Sequence, residues 1–128
     1  MIQANELRIG NIIDYFGNMC IVKSIKYDPA YYLIVATDTN GYTQYGNNID
    51  AFEPIPLTED WLLRFGFEKD SIIGLYILFK IGYFKVWFDV KNNTYLIDNV
   101  RDIKLYIKYV HQLQNLYFAL IGEELKVK

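Results

Sequence analysis

The chain has 128 residues, the size of one domain, with 52% apolar and 17% aromatic residues and a formal charge of −2. That balance excludes intrinsic disorder and argues against a dedicated nucleic-acid binder, which needs a clustered positive footprint to displace counterions. The lone cysteine, Cys20, excludes an internal disulfide and fits a reducing compartment.

The N-terminal part reads as short strands joined by tight turns. Residues 12–16 form the first strand, Gly17-Asn18 the turn and residues 19–27 the return, with Cys20 and Val22 sharing a face. Asp28-Pro29 turns the chain into a strand over 31–36, and Asn40-Gly41 turns it again into a strand around 42–45. Four closely spaced strands predict a strongly bent, barrel-like antiparallel meander. Glu53-Pro54-Ile55-Pro56 forces an extended link, since proline fixes φ and biases its predecessor away from helix.

After this link Thr58 is an N-cap for a short helix. Glu59 and Asp60 complement its positive end, Trp61, Leu62 and Phe65 line its inner face, and Gly66 stops it. Strands over 75–81, 83–90 and 94–97 make a second meander, with Phe84, Val86 and Phe88 facing the core opposite Tyr83, Lys85 and Trp87. A long helix is predicted over residues 100–121, capped by Asp98 or Asn99 and ended by Gly122. On it Lys104, Lys108, His111 and Asn115 form a polar stripe, while Gln114 falls inside a broad apolar arc. Leu125 and Val127 point inward from a terminal strand. The fold class is therefore α+β, with two small antiparallel meanders, a short middle helix and a long C-terminal helix. We read one domain over 1–128, with a β-rich part at 1–53 and the remainder at 54–128.

Chemistry is hard to find in this sequence. The only histidine, His111, has Ile107 and Asn115 as its helical neighbours, so no nearby carboxylate orients the ring; a solvated or edge-packed histidine is expected. There is no CxxC, HxxxH or phosphate-binding glycine loop, and Asp38-Thr39-Asn40-Gly41 fits a hairpin turn better than a calcium loop. We therefore assign no catalytic residue, metal ligand or cofactor. No apolar run reaches the roughly 18 residues of a membrane-spanning helix, and MIQANELRIG lacks the basic-then-apolar pattern of a secretory signal. Residues 80–88 partly echo an RNA-recognition strand, in which Tyr83, Lys85 and Trp87 would form a stacking face.

Twelve tyrosines invite an interface reading, although Tyr, Ile, Asn and Lys are also favoured by AT-rich coding, so composition leaves both open. Three stretches are more distinctive: ELRIGNII, EPIPLTEDWLLRFGF and IKYVHQLQNLYFALIGEEL. Together they resemble a family of small proteins carried by bacteriophages, prophages and other mobile elements. The resemblance implies a cytoplasmic protein of the bacterial host cell that binds a host protein complex. Its most concrete form is counter-defence, an anti-CRISPR inhibitor of an RNA-guided nuclease. The expected contact residues are Tyr31, Tyr32, Tyr42 and Tyr45 on the hairpins, with Tyr83, Lys85 and Trp87 on the later sheet. The alternative is a small protein associated with single-stranded nucleic acid through that last face.

Overall fold

Alternation of apolar and polar side chains makes the first part of the chain a sheet. In the computed structural model, which describes residues 2–100 and 103–128, four strands run as an antiparallel meander: β1 (Ile12–Tyr15), β2 (Asn18–Asp28), β3 (Tyr31–Asp38) and β4 (Gln44–Asn48). A short β5 (Phe52–Glu53) crosses to the far edge and pairs with β1, giving the order β4-β3-β2-β1-β5. That fifth strand was not legible in the sequence. It is two residues long and follows a 3-10 turn, Ile49–Ala51, opened by Asn48, whose Oδ1 accepts the Asp50 N–H at 3.1 Å. A bulge between Val22 and Ser24 bends β2, and the bent strand with the crossing β5 curls the sheet into a half-barrel. Ile13, Cys20, Val22, Ile34, Ala36 and Phe52 fill its interior.

Downstream, Thr58 caps α1 (Glu59–Arg64) by accepting the Trp61 N–H at 3.3 Å. The helix closes in a Schellman motif: the Gly66 N–H donates to Leu63 O and the Phe67 N–H to Leu62 O, both at 3.0 Å, with Gly66 at φ +93°. The second sheet is a five-stranded meander, β6 (Glu68–Ile73), β7 (Tyr76–Ile81), β8 (Phe84–Asp89), β9 (Thr94–Val100) and β10 (Ile103–Ile107). Phe79, Phe84, Val86 and Ile97 lie on its buried face, where Phe84 meets Phe67 and Tyr117 edge-on.

The structure revises the predicted long helix. Its first half is β-strand: Asp98 and Asn99, expected as caps, belong to β9, and 103–107 form β10; residues 101 and 102 lie outside the described residues. Only α2 (Val110–Ile121) is helical. The sequence Ile103-Lys104-Leu105-Tyr106-Ile107 alternates with period two as well as fitting a helical arc, and β9 offers it a free edge to pair with. β6 was also missed, because its Glu68-Lys69-Asp70 start reads as loop; those charges and the bulge between Lys69 and Ser71 are how an edge strand resists further pairing. The terminal residues 123–128 form no strand. Leu125 is buried as expected, but Val127 is exposed.

Two compact units result, Met1–Ile55 with Tyr109–Asn115, and Pro56–Lys108 with Leu116–Lys128.

Candidate binding surfaces

The lone histidine is a buried structural residue. His111 has no exposed surface, stacks on Tyr109 at 5.9 Å, and places its Nε2 3.2 Å from Glu6 Oε2. The carboxylate that helical spacing could not supply comes from the other end of the chain, and the full burial of the ring corrects the expected solvated or edge-packed histidine. Burial holds the imidazole below its ordinary value, and the Glu6 carboxylate opposes that shift only in part. In the neutral ring Nε2–H donates to Glu6 and Nδ1 has no partner among the described residues.

Beside it α2 presents a polar ladder to the N-terminal segment. Gln114 Oε1 accepts the Ile12 N–H at 2.8 Å and its Nε2 donates to Gly10 O at 3.2 Å. Asn115 Oδ1 accepts from Asn11 Nδ2 at 2.8 Å and from an Arg8 guanidinium nitrogen at 3.0 Å, and its amide nitrogen donates to Glu6 O. These are satisfied packing groups. Cys20 is likewise buried, and desolvation, with Asp14 and Asp38 nearby, pushes its thiol up, away from the thiolate a nucleophile needs. Among the described residues no group of three or more His, Cys, Asp or Glu could hold a metal ion. Asp38 and Asn40 instead accept the Tyr42 N–H at 3.0 and 3.2 Å, which makes the calcium-like stretch a turn.

Exposed rings of the first unit gather at its hairpin tips. At the β2–β3 tip Tyr27 stands across from Tyr32 in register, the two rings 5.2 Å apart and tilted by 55°, and Tyr31 is exposed beside them. Tyr27 is 70% exposed. The sequence named Tyr31 and Tyr32 but not Tyr27; its signal was cross-strand pairing, readable once the Pro29-Ala30 turn sets the register. Tyr42, 91% exposed, rides the β3–β4 turn. Tyr45 instead packs on Tyr15 at 4.8 Å and lies against the core. Phe16 was also missed. It is exposed at the β1–β2 tip with φ +47°, a backbone region unfavourable for a bulky side chain.

The second unit brings Lys85 and Trp87 together on the sheet face opposite Phe84 and Val86, a face that also buries Leu78 and Leu96. Cross-strand register places Leu78 and Leu96 on either side of Trp87, and Lys80 opposite Lys85. Tyr83, by contrast, sits in the β7–β8 turn rather than on that face and is 97% exposed. Tyr76 meets Trp87 edge-on at 6.5 Å, and Tyr106 and Lys104 stand exposed on β10, beyond β9. Lys80 pairs with Asp70 at 2.9 Å, and its hydrogen bond holds that carboxyl below the usual carboxylate range.

Comparison with family models, curated proteins and solved structures finds no match to this chain. No described helix is long and apolar enough to cross a membrane.

Proposed function

We propose that the protein is a non-catalytic binding module that engages a host protein complex through the aromatic β2–β3 tip. The preformed Tyr27–Tyr32 pair, standing 5.2 Å apart in an exposed hairpin, supports this reading best. Aromatic rings buried at an interface supply large contact area, and rings already held against each other lose little freedom when a partner covers them. The hairpin strands fix their backbones through paired register from Cys20↔Asp38 to Asp28↔Tyr31. Tyr31 and Tyr42 extend the ring surface available on the first unit. The resemblance to mobile-element proteins directs the search for the partner to host defence complexes, RNA-guided nucleases among them.

The test is co-purification. Tagged protein expressed in a defence-competent bacterial host should retain one host complex at low and moderate salt. Replacing Tyr27 and Tyr32 together by alanine should release it while the variant remains folded. Recovery of no specific complex at low salt, or equal recovery by the folded double variant, overturns the reading.

A further inference from the structure

The second unit carries a surface of different chemistry from the aromatic tip. On the sheet face opposite Phe84 and Val86, Ile73, Tyr76, Trp87, Leu96 and Lys104 surround an open cavity of about 260 Å³. Two polar atoms on this face, Trp87 Nε1 and Thr94 Oγ1, are enclosed with no hydrogen-bond partner among the described residues. Register puts them on adjacent strands, since Trp87 pairs with Leu96 and Asp89 with Thr94. Both atoms are closed off from a ligand, so what this face offers a partner is ring surface and lysine charge.

From this arrangement we infer that this ring-and-lysine face of the second sheet is a binding platform for single-stranded nucleic acid. One base stacks on the edge-to-face pair of Tyr76 and Trp87, against whichever ring face it meets. Lys104 and Lys85, both exposed on this face, take the flanking phosphates. Stacking on aromatic rings is sequence-tolerant because every base has a π-face, and lysines beside the rings add the salt-dependent part. The cavity is smaller than the ~300–1,000 Å³ of sites that enclose a drug-sized ligand whole, so it fits one base of a longer strand better than a complete free nucleotide.

The chain's overall acidity does not weigh against this surface. The first unit holds three basic and six acidic residues, whereas the second holds ten basic and nine acidic. The negative balance therefore resides in the unit that carries the aromatic tip.

Fluorescence anisotropy of a labelled oligo-dT strand, titrated with the full chain, tests the inference. Binding should appear at low ionic strength and weaken as salt rises. Trp87→Ala should lower affinity about tenfold, the scale of one lost stacked base. Trp87→Phe, which keeps a ring, should recover part of that loss. Lys104→Ala, at an exposed position that leaves the fold intact, should reduce the log–log salt slope by about one. The tip variant Tyr27→Ala/Tyr32→Ala should bind the oligonucleotide as the wild type does, which separates this surface from the protein-binding one. Absence of binding at low salt, binding unchanged by both Trp87→Ala and Lys104→Ala, or tighter binding of uridine monophosphate than of the strand overturns it. The last result would make the cavity a small-molecule site.

Discussion

His111 shows how one residue changes meaning between sequence and structure. As a lone imidazole with no carboxylate within a helical turn, it looked incidental. In the fold it is fully buried against Tyr109 and bonded to Glu6. Its pKa is lowered in the folded state, so the unfolded chain binds the proton more readily. Stability is then fully present above the unfolded value of 6.5 and declines as pH falls through and below it, where protonation would also bury an Nδ1–H with no acceptor among the described residues. Urea titrations between pH 8 and 5 should show that decline, and a folded His111→Gln variant should show a flatter profile. An unchanged profile would remove the buried imidazole from the account. Gln114 is the second such residue. Its helical phase placed it correctly inside the apolar arc, but only the fold reveals that its amide serves the backbone of Gly10 and Ile12. Gln114→Ala leaves a buried Ile12 N–H without its acceptor and should cost about 1–3 kcal/mol in denaturant unfolding.

Elements were legible where a local rule dictated them. Thr58, the acidic first turn and Gly66 announced α1, and the structure shows the cap and the Schellman closure that those residues permit. Gly66 is required by its φ of +93°, while the Lys128 side chain that an added Cβ would meet at 2.8 Å is flexible and can move aside. Gly66→Ala should therefore destabilise by about 1 kcal/mol or more, read as a lower urea midpoint at unchanged slope. A neutral substitution would mean that the helix end is not held as described. The turns around Phe16-Gly17 and Asn40-Gly41 were readable for the same kind of reason, the first displaced by one residue from the expected position. What could not be read locally was pairing. β5 exists because β1 has a free edge, and β10 because β9 does; residues 103–107 satisfy both helical and strand periodicities, and only the neighbour decides. An α+β assembly of two meanders was within reach of the sequence, whereas the strand count was not.

At the scale of the whole molecule, the candidate surfaces divide between the two units. The first offers exposed rings at hairpin tips, and the second offers a ring-and-lysine sheet face. Composition flagged tyrosine as a contact residue but could not sort the rings, because a tyrosine on a strand is equally suited to either face. Tyr45 went to the core side, Tyr83 to a turn, and Tyr27 entered the surface through its cross-strand partner. Lys85 and Trp87 shared a face as alternation required, but the residues completing that face, Tyr76, Leu96 and Lys104, come from three other strands and became visible only through register.

The account rests on the hairpin rings being maintained for contact rather than for folding. The most direct measurement is a paired one on Tyr27→Ala/Tyr32→Ala: affinity for the co-purified host complex and thermal unfolding of the free protein. We expect affinity to fall about thirtyfold, as for one hot-spot residue or more, with the melting temperature essentially unchanged. Unchanged affinity in the folded variant, or a loss of affinity that merely tracks a loss of folded protein, would contradict it.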